Sequence, residues 1–255
     1  MLDNKIIKNN SNFIFISTLK KIIEIKKKKN LSLSSLIEIN EQKYSLINNT
    51  KNFLDNKPFN NALLWGAKGM GKSSLIFSMT NHFNKIKKKL KLLEVFSSDM
   101  KFLPEIVYNL NKSDFKFIIF IDDIVLDINK NDFKIFKVLL EGSLLSKSEN
   151  LVFYITSNSR HIVKPEINKD LNDIQYQDQL SNTISLSDRF GLSLGFHKCS
   201  KQQYLKIVKM YLKNLKINLP YKDVEKKAME WSIQKGDFSG RIALQFVINL
   251  SSKIL

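Results

Sequence analysis

The string Gly66-Ala67-Lys68-Gly69-Met70-Gly71-Lys72-Ser73 fits the pattern G-x-x-x-x-G-K-S/T without a mismatch. The ligand such a pattern takes is a nucleoside triphosphate. A phosphate chain needs close, fixed donors, and Gly66, Gly69 and Gly71 let backbone N–H groups curl around it without side-chain interference. Lys72 can set an ammonium against the β and γ phosphates, and the Ser73 hydroxyl is a suitable ligand for Mg²⁺. Ser74 opens a segment with helical spacing, whose positive end would face the same anion. Residues 66–74, with Ala67, Lys68 and Met70 completing the loop, are therefore the expected nucleotide-binding set. The chain has only 8 glycines, so three of them inside one loop argue against a chance match.

A second group of residues could act on what this loop holds. The apolar run Phe117-Ile118-Ile119-Phe120-Ile121 ends in Asp122-Asp123. A buried strand closing in acid is a Walker B pattern: Asp122 would hold Mg²⁺ through its water shell, and Asp123 would orient or deprotonate an attacking water. Asp127, beyond the end of the strand, is a weaker alternative to Asp123. Another apolar run, Leu151 to Thr156, closes on Ser157-Asn158; the Asn158 amide could hydrogen-bond a γ phosphate or the water, or could simply cap a turn. His161 and His197 suggest no metal site, and Cys199 lacks a His or acid at ligand spacing, which points to a structural role.

These residues need a scaffold of alternating strands and helices. Ala62–Trp65 has strand character, and Leu75, Ile76, Met79 and Phe83 repeat with helical spacing, so the glycine loop lies at a strand-to-helix turn. Lys91–Phe96 and Leu192–Phe196 read as further strands; Tyr44–Leu54, Leu103–Leu110 and Asp132–Leu145 read as helices. From Ser200 onward the pattern is wholly helical, with Tyr204, Ile207, Val208 and Tyr211 on one face and Gly240-Arg241 opening the last helix. The expected division is a lead-in or docking arm over 1–40, a nucleotide-binding domain over 41–198 and a helical lid over 199–255. The lead-in is expected to pack near the nucleotide base, and the polar stretch 160–185 to form a surface loop.

Composition sets wider limits. Among 255 residues, 43% are apolar, with no uninterrupted apolar stretch of membrane-spanning length. The N-terminal segment is a poor secretory signal, and a single cysteine fits a reducing compartment, so a cytoplasmic protein is expected. The net charge of +17 would attract nucleic acid or an acidic surface. It is equally explained by a lysine-rich composition, because lysines are spread among many Asn and Ile residues and form dense runs only at Lys26–Lys29 and Lys85–Lys91.

Taken in order and spacing, Gly66–Ser73, Asp122-Asp123, Asn158, Asp188-Arg189-Phe190 and Gly240-Arg241 resemble the AAA+ ATPases. More narrowly, the strings Asn60-Asn61-Ala62-Leu63-Leu64-Trp65-Gly66, Leu140-Glu141-Gly142, Thr156-Ser157-Asn158, Arg160-His161, Ser185–Gly191 and Ser239-Gly240-Arg241 resemble a bacterial AAA+-like ATP-binding family catalogued as domain of unknown function 815. The resemblance spans about residues 40 to 250. It implies an αβα sandwich around a five-stranded parallel sheet plus a small C-terminal lid, with the sensor strand between the phosphate-loop and Walker B strands. It implies ATP and Mg²⁺ as cofactors, Asn158 as sensor 1 and Arg241 as sensor 2. It also implies Arg189 as an arginine finger reaching a neighbour's nucleotide in a homo-oligomer, unless Arg189 pairs with a local acid. Many members carry Glu after the Walker B Asp. Asp123 is shorter by one methylene, about 1.5 Å, so slow hydrolysis is expected.

Three functions remain open on these grounds. The first is a Mg²⁺-dependent ATPase that couples ATP binding and hydrolysis to conformational change, or a nucleotide-gated module with little turnover. The second is a GTPase switch, for which Asn111-Lys112-Ser113-Asp114 and Asn129-Lys130-Asn131-Asp132 are misplaced guanine-reading strings. The third is a DNA-associated loader or remodeller, supported by charge and fold analogy. No protein partner is indicated.

Overall fold

The computed structural model describes residues 4–25, 32–86, 90–127, 131–141, 149–160, 162–164, 186 and 188–252. His161, Gly142, the 26–29 lysine run, Asn129-Lys130 and most of the 160–185 stretch fall outside them.

Two strands are buried along their whole apolar runs, β5 (Lys116–Ile121) and β7 (Leu151–Ser157). Alternate residues serve opposite layers, as the pleat requires. Ile118, Phe120, Val152 and Tyr154 join one cluster, whereas Phe117, Ile119, Ile121, Leu151, Phe153 and Ile155 join the other. The first cluster is closed by α2 (Asn40–Leu54) and α3 (Lys72–Ile86), the second by α1 (Asn4–Asn9), α4 (Leu103–Leu110) and α5 (Asn131–Leu140). This is the expected αβα sandwich.

The sheet is larger than expected. Its order is β2-β1-β4-β5-β7-β3-β9, with β3 at Ala62–Gly66, β4 at Leu90–Glu94 and β9 at Leu192–Phe196. The five strands β4-β5-β7-β3-β9 run parallel, and β7, the sensor strand, lies between β3 and β5. The five-strand expectation is corrected to seven, because β1 (Asn12–Ile16) adds in parallel to β4 and β2 (Lys21–Glu24) adds antiparallel to β1. A buried lysine helps hold that edge. Lys91, the last of the Lys85–Lys91 run and the first residue of the expected strand, is 2% exposed, donates to Asn10 O at 2.6 Å and lies over the Phe115 ring. A parallel pair of strands, β6 (Leu126–Asp127) and β8 (Val163–Lys164), forms a separate small ribbon.

The entry into β3 is fixed by polar side chains. Asn49 and Asn60 exchange hydrogen bonds, Asn49 Nδ2 to Asn60 O (2.8 Å) and Asn60 N to Asn49 Oδ1 (2.9 Å), and Asn61 Oδ1 accepts from Phe153 N (3.0 Å). Tyr154, wholly buried, shares its hydroxyl with Thr50 at 2.7 Å and accepts from Asn49 Nδ2 at 3.0 Å. Burial pushes that phenol up to about 12, so it stays neutral.

Three helices complete the chain: α6 (Lys201–Asn214), α7 (Tyr221–Lys235) and α8 (Gly240–Ser251). Ser200 and Gln203 form a capping box on α6, and the Ser239 hydroxyl caps α8 by accepting from Ile242 N. Tyr204, Val208 and Phe246 bury into the same cluster as α3, which seats the helical segment against the phosphate-loop side of the sheet.

Candidate nucleotide-binding site

The C-terminal ends of β3, β5 and β7 open into a cleft of about 480 Å³, roofed by α6 and α8. Crevices at strand ends are where open parallel sheets bind ligands. At the floor, the chain turns from β3 into α3 with Gly66, Gly69 and Gly71 all at positive φ. A Cβ on Gly66 would lie 2.2 Å from Phe196 O, on the β9 backbone to which Ala67 N donates at 2.7 Å. Glycine is required there by contact as well as by conformation.

The expected polar residues converge on this loop. Lys72 Nζ donates to Gly66 O (2.7 Å), Ala67 O (3.0 Å) and Asn158 Oδ1 (3.4 Å), and Asn158 Nδ2 donates to the Asp123 carboxylate. Burial lowers the Lys72 pKa from its ordinary value, partly offset by the charges of Asp123 and Asp122. Ser73 Oγ donates to Asp122 Oδ1 at 2.7 Å. A hydroxyl and a carboxylate held side by side, both hard oxygen donors next to a phosphate-type loop, fit Mg²⁺. Asp123 sits at φ 51 in the left-handed region, and its carboxylate still lines the cleft, so the missing methylene does not withdraw it from Asn158.

The lid meets the loop directly. Arg241 N donates to Gly69 O at 3.2 Å, and a Cβ on Gly69 would lie 2.9 Å from both Arg241 Cβ and Ser239 Oγ. The N-terminus of α8 therefore rests on the loop tip, and Arg241 lines the cleft with Gly240.

Other expected residues lie elsewhere. Arg189 does not line the cleft; Nη2 pairs with Glu141 Oε1 at 3.0 Å, with 38% of its side chain exposed. Asp127, on β6, is also outside the lining. Cys199 is buried with Sγ 3.7 Å from Met70 Sδ, and burial pushes its thiol up to about 11, which makes it an inert packing group. His197 packs edge-on against Trp65. Asn111–Asp114 precedes β5 and so lies at the opposite end of the strands from the cleft, where it cannot read a bound base.

Two sets of lining residues had no signal in the sequence. Thr156 was read as the last residue of a strand and as part of the Thr156-Ser157-Asn158 string, with no role of its own. The apolar wall was also missed as a wall: Leu36, Ile37 and Ile39 line the cleft together with Ile207, Met210, Tyr211 and Leu244, all in one packed cluster. Ser35, Leu36, Ile37 and Ile39 of the lead-in line the cleft. The helical spacing of Ile207 and Tyr211 was the one available hint, and it reads equally well as core.

The model of the family described as protein of unknown function (DUF815) matches residues 8–254. The chain belongs to this DUF815 family. No curated protein matches it in sequence. Among solved structures, it resembles the Thermotoga maritima RuvB Holliday junction branch migration motor (TM-score 0.53, 16% identity, covering 84% of this chain and 62% of that one). It also resembles domain III of the Thermotoga maritima replication initiation protein DnaA (TM-score 0.52, 14% identity, 88% and 98%). The DUF815 chain thus spans less than two thirds of the RuvB structure. At these identities the likeness is one of fold alone.

Proposed function

We propose that this DUF815 protein binds ATP with Mg²⁺ in the cleft and hydrolyses it slowly, using the change of state to move its lid. The observation that carries the reading is the convergence of Lys72, Asn158 and Asp123 in one hydrogen-bonded chain beside the Ser73–Asp122 pair. In this reading the glycine loop wraps the phosphates. Lys72 exchanges the Gly66 and Ala67 carbonyls for phosphate oxygens, and Asn158 orients a water whose proton Asp123 accepts. Ser73 and Asp122 would hold Mg²⁺, which would supply positive charge against the phosphates. Arg241 adds a planar cation from the lid, and the Arg241–Gly69 contact gives nucleotide binding a direct route to lid position. Arg189 would act on the nucleotide of a second copy in a homo-oligomer, exchanging Glu141 for phosphate. The single buried cysteine supports a reducing, cytoplasmic setting.

Phosphate release from the purified protein tests the enzyme reading. Release should require Mg²⁺ and vanish in Lys72→Ala. Mg²⁺-dependent ATP binding with no release above that control would leave the nucleotide-gated module instead.

A second reading, contact with nucleic acid, has one observation in its favour. No Asp or Glu occurs between Arg189 and Lys222, and Lys206, Lys209 and Lys213 recur at helical spacing on the exposed side of α6, whose inner side lines the cleft. The expected outcome is DNA binding that weakens steeply with salt and changes with bound nucleotide. Binding indifferent to nucleotide would reduce it to bulk charge.

A further inference from the structure

We propose that Thr156 is a positioning residue that fixes both acids of the Walker B pair from the neighbouring strand. This deepens the Mg²⁺–ATP reading and rests on it. Thr156 is 1% exposed, near the end of β7. Its hydroxyl does two things at once: it donates to Asp122 Oδ1, the atom that also accepts from Ser73, and it accepts from Asp123 N at 2.8 Å. Its carbonyl accepts from Ile124 N, also at 2.8 Å. One residue therefore holds three successive positions of the chain leaving β5.

The second of those positions explains the need. Asp123 has φ 51, a conformation that L residues adopt infrequently. It is this turn that leaves the Asp123 carboxylate in the cleft against Asn158 Nδ2, despite the short side chain. The hydroxyl that holds the Asp123 N–H also sets the rotamer of Asp122 beside Ser73. Aspect and distance of the cation ligand and of the water-orienting acid are thus set by one buried hydroxyl bonded to both. Valine matches threonine in shape and supplies neither donor nor acceptor, so it removes this function with little change in packing.

The test measures ATP affinity with Mg²⁺ and with excess chelator, together with phosphate release, for wild type, Thr156→Val and Thr156→Ser. In Thr156→Val, the gain in affinity on adding Mg²⁺ should shrink about tenfold, the loss of one charge-assisted hydrogen bond. Affinity in chelator should stay within about twofold, because the loop and Lys72 are untouched. Release should fall by at least the same factor, and Thr156→Ser should restore both. An unchanged Mg²⁺ gain in Thr156→Val overturns the proposal. Equal loss with and without Mg²⁺, accompanied by a lower Tm, also overturns it by marking Thr156 as merely structural. Should valine prevent folding, Thr156→Ala is read by the same criteria. Failure of the wild type to bind ATP sinks the Mg²⁺–ATP reading and this proposal together, whereas a binding wild type with an indifferent valine variant sinks this proposal alone.

Discussion

In the proposed reading the phosphate end of the cleft is lined by Gly69, Lys72, Ser73, Asp122, Asp123 and Asn158, and the base end by the apolar Leu36, Ile37, Ile39, Ile207, Met210, Tyr211 and Leu244, of which Leu36 and Ile39 also lie 3.8 Å from a Cβ built on Gly71. The first set comes from strand ends joined by side-chain hydrogen bonds at 2.7 to 3.4 Å. The second comes from the lead-in and two helices of the C-terminal segment, roughly 170 residues apart, which pack together and are tied at the surface by Lys206–Glu38 (3.2 Å) and Asn214–Ser35 (3.0 Å). The two ends answer to different physics. Phosphate is held by charge and direction, so residue identity matters; a base is held by flat apolar area, for which many side chains serve equally. A change at the phosphate end should therefore alter what is recognised, and a change at the base end only how tightly.

The sharpest test is Lys72→Met. ATP binding should drop about 100-fold or more, since a buried charge-assisted contact is lost. The empty protein should melt no lower than wild type, because burial already works against the ammonium there. A large fall in Tm would show Lys72 to be a structural residue and erase the distinction. The next effect in size should separate the two ends directly. Arg241→Ala should lower the ratio of ATP to ADP affinity about tenfold, whereas Met210→Ala should weaken both nucleotides alike by about three- to fivefold. Titrations with ATP and ADP would read both ratios. An altered ATP-to-ADP ratio in Met210→Ala would break the comparison.

The smallest effect is on pH. Lys72 titrates below its ordinary 10.5 in the empty protein, and a bound polyanion would raise it again. ATP affinity should be flat through neutral pH and fall as pH rises through the lowered value, with proton uptake on binding in that window. Affinity flat up to pH 10.5 would contradict this. Global unfolding is read alongside by Tm, because Cys199 (about 11) and Tyr154 and Tyr204 (about 12) are raised by burial. Each ionises first in the unfolded chain, so the stability they contribute is full below their ordinary values of 9.0 and 10.0 and is lost above them.

Much of the phosphate end was legible in the residue order. The glycine loop, the acids after a buried run and the amide after the next one are each dictated locally, because a strand must end before a polar group can emerge. The parallel order of the core followed from the resemblance, with β7 set between β3 and β5 as implied. The two added edge strands were not legible. Nothing in Asn12–Glu24 specifies which sheet edge they join, and the buried Lys91 looks like any other lysine in its run.

What the linear chain settled for itself was the chemistry available: a phosphate-wrapping loop, an ammonium, two carboxylates and an amide, each demanded by a ligand that tolerates few substitutes. What only folding settled was adjacency. Thr156 bonds to Asp122 and Asp123 because β7 lies beside β5, Arg241 reaches the loop because α8 starts on Gly69, and Leu36, Ile37 and Ile39 line the cleft because the lead-in packs against α6. Packing and hydrogen bonds between distant segments are set by three-dimensional proximity, which carries no fixed spacing along the chain.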